Sequence, residues 1–390
     1  MTLFGDLYFF IACLVLMIPA IIMGLREKNI RYYGLVVSIF FAWMAMSSSP
    51  KAFLNLWLYV GFELILVKLY LWLYKRRDKD KGRSGFQYWL FLILSLMPLG
   101  VWKVSSFLGD SIFAFLGLSY MTFKTAQMII EIYDGLIKDV RPIDFIYFLI
   151  FFPCLSSGPI DRSRRFDEDL NRFISKAEYE NMLGDGIEKM VTGLAYKVVF
   201  SALLYQGVIW LGTGASFWNH LAYMYCYGGY LFFDFAGYSL MAIGASYIFG
   251  IRTPENFNKP FSSKDLKDFW DRWHMTLSYW FRDFVFSRFM MKAIKGKWFK
   301  SRLTGASIGF MINMFLMGLW HGFDIYYLMY GLYHGILLSL TEIYQKKSSF
   351  HKRHRKDVWY IRTNKFITFN LVMFGFFLFS GEFTRLIGLS

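Results

Sequence analysis

The sequence predicts an all-α polytopic membrane protein that crosses the bilayer about ten to twelve times. Three observations predict it. Of the 390 residues, 56% are hydrophobic and 21% aromatic, and the mean hydropathy is +0.36, outside the range of soluble domains. The 26 Tyr, 13 Trp and 44 Phe suit a chain with two membrane–water interfaces to line. The basic residues behind the net charge of +15 cluster between apolar runs. That is the pattern of cytoplasmic loops, and it argues against a nucleic-acid partner.

The elements follow in order. Residues 7–25 form a first apolar run with no Lys or Arg before it and no small-residue cleavage site after it, so a retained helix is expected rather than a signal peptide. Runs at 32–46 and 52–74 come next, the second ending in KRRDKDKGR at 75–83. The intervening loop carries only Lys51, which places the N-terminus outside and 75–83 in the cytoplasm. Further runs cover 86–101, 111–133, 143–155, 186–211 and 217–249; 303–344 is long enough for two short passes, and 366–389 is the last. Lys346, Lys347, Lys352, Arg353, Arg355, Lys356, Arg362 and Lys365 mark 346–365 as cytoplasmic, with the C-terminus outside. The whole reads as one membrane domain, 1–390: N-terminal helices to 250, a segment carrying the chemistry at 251–345, and a basic loop with the last helix at 346–390.

Glu63, Lys68, Lys124, Glu131 and Asp234 lie inside apolar runs and are expected to face a protein interior or a watery cavity. SSGPIDRSRRFDEDL, at 156–170, reads first as a solvated loop, with a re-entrant or interfacial segment as the alternative. Cys13, Cys154 and Cys226 show no metal-ligand spacing, and their odd number argues against a disulfide framework, so buried thiols and no metal are expected.

Two stretches carry chemistry. Laid on a helix from Lys264, Trp270, Trp273, Leu277, Trp280, Phe281 and Phe284 form an apolar stripe, flanked by Asp271, Ser278 and Arg282, with His274 on the border. Ser262 or Ser263 would cap it, with Asp265 near its start. Such a helix is too polar to face lipid and belongs in the interface or among other helices. GLWHG, at 318–322, places His321 in an apolar run, and GLYHG repeats the pattern around His334. A histidine there stays neutral and accepts a proton. On one continuous helix the two rings would face roughly opposite ways, and pattern alone does not choose between them. A packed structural histidine is the plainer reading of each.

PENFNKPF, DFWDRWHMTLSYWFRDFVF and GLWHG, in that order, together with FFPCLSSGPIDR and YLFFDFAGYSLMAIG, resemble the membrane-bound O-acyltransferases over most of the chain. The resemblance is nearest to the branch that attaches D-alanine to teichoic acids. The alginate O-acetyltransferase branch shares the core but continues into a proline-glycine segment, where this chain reads FVFSRFMMKAIKG. The resemblance implies a ring of spanning helices, with interfacial or re-entrant helices, around a thin central site in a bacterial plasma membrane. It maps the family's principal histidine to His321 and its second to His274, and gives His334 and Asp324 no role. It further implies a D-alanine donor held as a thioester on the phosphopantetheine arm of an acidic cytoplasmic carrier protein, and no permanently bound cofactor. The acceptor would be a teichoic-acid hydroxyl or a hydroxyl on a small membrane partner.

No Ser or Cys sits in a nucleophile elbow, so direct transfer is expected, with His321 as general base and His274 orienting it or polarising the carbonyl. RFMMKAIKGKWFKSR is the expected docking face, through Met290, Met291, Lys297 and Arg302, with Lys267 at its rim. Asp271, Ser278 and Arg282 are further site-lining candidates. The competing readings are an O-acetyltransferase of the same family acting on a cell-surface polysaccharide, and a non-enzymatic transporter or flippase.

Overall fold

A computed structural model describes residues 3–77, 82–214 and 216–389; the basic loop at 75–83 lies partly outside them. Among the described residues the chain is helical and contains no strand. It folds as two compact units, Met1–Leu194 with Tyr238–Pro254, and Ala195–Gly237 with Glu255–Ser390.

Among the described residues, six helices are long and apolar enough to cross a membrane: Leu7–Leu25, Pro50–Arg76, Gly85–Phe107, Lys176–Leu211, Phe217–Ile248 and Arg302–His321. Arg31–Ala45 is apolar but has 15 residues, and Leu118–Tyr133 has 16 and carries Lys124, Gln127 and Glu131. Ile325–Lys347 and Val358–Phe379 are long enough, but tyrosines, asparagines and basic residues dilute their hydropathy. Local chemistry sets several starts. Ser49, Ser84 and Ser301 each accept a backbone N–H of the first turn that follows, and Pro50 occupies a position where no N–H is needed.

Several buried polar groups of the first unit find partners within it, as a low-dielectric interior favours. Ser95 donates to Glu63 at 3.2 Å, Lys124 Nζ donates to the Phe148 carbonyl at 2.7 Å, and Lys68 Nζ to that of Val140 at 2.8 Å. The 156–170 stretch is not all loop. Its second half is a helix, Ser163–Asn171, because Arg165 at i+4 from Asp161 and i−4 from Asp169 ties the turns together, the latter at 2.7 Å.

In the second unit, 303–344 divides into two helices, Arg302–His321 and Ile325–Lys347, packed against each other, of which the first is long and apolar enough to span. The contact is backbone-close at paired glycines. A Cβ on Gly318 would fall 2.4 Å from the Tyr327 carbonyl, and one on Gly331 would fall 2.5 Å from that of Met314. Thus the first glycines of GLWHG and GLYHG face each other, and their repetition serves the crossing as well as either histidine.

The helix expected from Lys264 onward is broken. It runs as Leu266–Trp270, restarts as Met275–Phe281, widens into a π-helical turn at Arg282–Phe286 and continues as Ser287–Lys295. Asp265, rather than Ser262 or Ser263, caps the first piece, accepting from the backbone of Lys267 and Asp268 at 3.0 and 2.9 Å.

Gly331→Val should drive a side chain into backbone that cannot retreat, a loss of about 1–3 kcal/mol or more. The thermal midpoint of the detergent-solubilised protein should fall, while Gly184→Ala, which meets nothing within 4 Å, should leave it in place.

Candidate active site

The break in the organising helix is where the chemistry gathers. His274 has φ 43° and ψ 52°, a left-handed conformation rare for a non-glycine residue, and it begins the restarted helix. The PENFNKPF segment holds this turn. Asn258 N–H donates to the Arg272 carbonyl at 3.0 Å, and Met275 N–H to that of Asn256 at 2.9 Å. The Asn256 side-chain oxygen accepts from Thr276 N–H at 3.3 Å and Thr276 Oγ1 at 2.9 Å, and lies 3.0 Å from His274 Nδ1.

That geometry fixes a tautomer. The backbone N–H identifies the Asn256 atom as the oxygen, so His274 Nδ1 must carry the proton it donates. Nε2 then bears the lone pair, and it is buried without a hydrogen-bond partner. The ring is 5% exposed and meets the edge of Phe235 at 4.6 Å. His274 lies in sequence between two spanning helices. Burial, and the charge His321 would bring, push its pKa down to about 3.

His321 ends its helix and is half-buried. Its ring lies 4.6 Å from that of Trp320 and 4.8 Å from Phe379, and it stacks on Tyr327 at 5.8 Å and 25°. Gly322 permits that stack, since a Cβ there would fall 2.6 Å from the Tyr327 ring. His334 is fully buried, edge-on to Tyr330 and Trp270, and Gly375 passes so close that a Cβ on it would fall 2.4 Å from Nε2. It packs the core, on the helix that follows His321. The two histidines sit on different helices, so the opposed-face argument for one continuous helix does not apply to them.

Asp271, Ser278 and Arg282 line a single cavity of about 260 Å³, together with Lys267, Trp270 and Asn313. Arg282 lies 3.8 Å from Asp271, and Lys267 is tied to Glu342 at 2.7 Å rather than free at a rim. Met290, Met291 and Arg302 border a larger groove, about 760 Å³, with Ile294 and Phe310. Met291 is 62% exposed, but Met290 is 9% exposed and packs inward toward Gly305, which removes it from an exposed docking face. Lys297 is exposed on a left-handed turn and does not border the groove. Among the described residues, no group of three or more His, Cys, Asp and Glu side chains is placed to hold a metal ion.

Sequence reasoning passed over Asn256, Asn313 and Tyr327. Asn256 stands in a motif whose value lay in its order, not its side chains. Asn313 was visible as the lone amide in an apolar run, GFMINMFLMG.

Residues 39–380 match the family described as MBOAT, membrane-bound O-acyltransferase family. The chain is 40% identical to a teichoic acid D-alanyltransferase of Bacillus subtilis (strain 168), over 98% of each chain. It is 36% identical to one of Lacticaseibacillus rhamnosus, over 97% of this chain and 96% of the other. A probable alginate O-acetylase of Pseudomonas aeruginosa is 28% identical over 76% of this chain and 58% of its own length.

The His274 geometry makes a pH prediction. The unfolded chain takes up a proton at this ring near pH 6.5, the folded protein only near 3. The unfolded state therefore binds more protons between those values, and stability contributed by the neutral ring is lost as pH falls through them. Histidine ¹⁵N NMR should show one ring held as the Nδ1–H tautomer and unprotonated at pH 5; a His274 signal titrating near 6.5 would contradict the geometry.

Proposed function

The chain belongs to the membrane-bound O-acyltransferase family, and from that premise we propose that it moves D-alanine from a carrier-protein thioester to teichoic-acid hydroxyls. The observation that carries the reading is the pair of electrostatically coupled histidines, one buried and tautomer-fixed, the other half-open at a helix end. The near-full-length similarity to proteins named teichoic acid D-alanyltransferases supports the acyl group and the acceptor. The cytoplasmic face of a bacterial plasma membrane is where such a carrier would meet the chain.

A thioester is already activated, so the site must position a hydroxyl, remove its proton and exclude water. His321 is the base: a ring nitrogen takes the hydroxyl proton as the oxygen attacks the thioester carbonyl. The C–S bond then breaks, and the imidazolium returns the proton to the departing thiolate. Trp320, Tyr327 and Phe379 around the ring keep bulk water from the same carbonyl. His274 serves as the orienting partner. Its Nε2 offers a lone pair and no proton, so the neutral ring would orient His321 only as a hydrogen-bond acceptor and cannot polarise the carbonyl as a donor. The mutual coupling of the rings keeps both from being charged together.

The acidic carrier docks on the apolar face made by Met291, Ile294 and Trp298, all more than half exposed, with Lys297 and Arg302 steering its approach. Lys267 acts further in, through its bond to Glu342.

His321→Ala should leave the protein inserted and reduce transfer from charged carrier by roughly 10²–10⁴-fold; near-normal transfer would remove His321 from the mechanism. Met291→Asp should weaken carrier binding in calorimetry at unchanged thermal midpoint, whereas Met290→Asp should lower the midpoint itself. Carrier binding that survives Met291→Asp would place the docking face elsewhere.

A further inference from the structure

A further cavity, about 520 Å³, opens in the second unit where the basic loop at 346–365 meets the last long helix, Val358–Phe379. Its polar end carries Lys264, Asp265, His351 and Arg355. Two of these are already engaged. Asp265 accepts from the backbone of Lys267 and Asp268 and from Gln345 Nε2, the last at 2.9 Å. His351 Nδ1 lies 2.9 Å from the Tyr360 hydroxyl, which donates to that of Tyr344 at 3.2 Å. Burial and the neighbouring Arg355 charge hold the His351 ring below its ordinary pKa, so it is uncharged near neutral pH. Lys264 and Arg355 differ: among the described residues neither side chain has an ion pair or a hydrogen bond.

The other end is apolar. Ile361, Asn364, Ile367, Thr368 and Leu371 line it at spacings of three and four, one face of the last long helix. From Ile361 to Leu371 that face runs about 15 Å, with Asn364 toward the basic loop and Ile367 and Leu371 further along. Phe350 and Trp359, each half exposed, stand beside His351 and Tyr360 in the chain and suit a membrane–water interface. Two unpaired cations at the head of an apolar wall are the complement of an anionic amphiphile.

We propose that this cavity binds one anionic phospholipid of the cytoplasmic leaflet, its phosphate held by Lys264 and Arg355 and one acyl chain lying along Ile367 and Leu371. The site does not depend on the acyl-transfer reading. A zwitterionic lipid brings its own cation against Lys264 and Arg355 and is the weaker ligand. A free phosphate ester has the charge but leaves the apolar wall uncovered. Lys264 N–H donates to Asp268 Oδ2 at 3.0 Å, and Asp265 caps Leu266–Trp270, so a lipid held at Lys264 braces the start of the broken helix.

The test titrates phosphatidylglycerol into the detergent-solubilised full protein and counts bound lipid by native mass spectrometry. Phosphatidylglycerol should outcompete phosphatidylcholine. Lys264→Met and Arg355→Met should each weaken its binding about fivefold or more, the range of one cation at a lipid headgroup. Both side chains are exposed, so the lipid-free thermal midpoint should hold. Lys352→Met, which removes an exposed cation of the same loop outside the cavity, should leave binding unchanged. Ile367→Asn should weaken the lipid, and glycerol 3-phosphate should not displace it at equal concentration. An equal loss for Lys352→Met would reduce the site to the general attraction of a basic loop and overturn it. Displacement by glycerol 3-phosphate would assign the cavity to a free phosphate ester and overturn the lipid. Equal binding of phosphatidylcholine, or Lys264 and Arg355 variants that bind as the intact protein does, would also overturn it. Weaker binding with a lower lipid-free midpoint would assign those two residues to folding and overturn their role here.

Discussion

The hydrogen bonds of one amide organise the candidate site. Asn256 accepts from the Thr276 backbone and hydroxyl and from His274 Nδ1, while its own carbonyl receives Met275 N–H. These bonds hold His274 in a left-handed turn that its side chain would not otherwise favour. The turn in turn splits one would-be amphipathic helix into pieces, and aims the two sides of the break differently. The cavity gathers Trp270 from before the break and Ser278 from after it.

The same bonds decide chemistry. A histidine buried among aromatic rings has two possible neutral tautomers, and only the partner at one nitrogen selects between them. Here the partner is an oxygen, so the other nitrogen is an acceptor. His321, by contrast, is held by stacking and by the helix end, and it stays half-open. One ring is fixed and dry; the other is placed where a substrate could reach it. That division suits a base supported by an orienting partner.

Much of the all-helical fold was legible because apolar runs and basic loops are compositional signals that need no tertiary information. The Leu303–Tyr344 hairpin and the buried charges Glu63 and Lys124 fall in this class. The break at His274 was not legible. Period-3.6 spacing continues through it, and no glycine or proline marks the left-handed residue. Met290 and Met291 show the same limit at single-residue scale. Adjacent helical positions point about 100° apart, so one is buried and the other exposed, and sequence cannot say which faces the core. The candidate lining residues Asp271, Ser278 and Arg282 do share one cavity, though the continuous helix that suggested them does not exist. That polar atoms of Trp270 and Asn313 lack partners stayed hidden for a different reason. An unsatisfied buried atom is a property of the packed interior, which neither the apolar stripe around Trp270 nor the lone amide of GFMINMFLMG discloses.

The central claim is that a carrier-borne thioester reacts beside His321. The most direct measurement is a cryo-electron microscopy structure of the protein in a membrane mimic, bound to a carrier whose arm bears D-alanine through an unreactive amide in place of the thioester. The account predicts the alanyl carbonyl carbon close enough to His321 to leave about 3–3.5 Å for an attacking hydroxyl oxygen. An arm that ends away from His321 would contradict it.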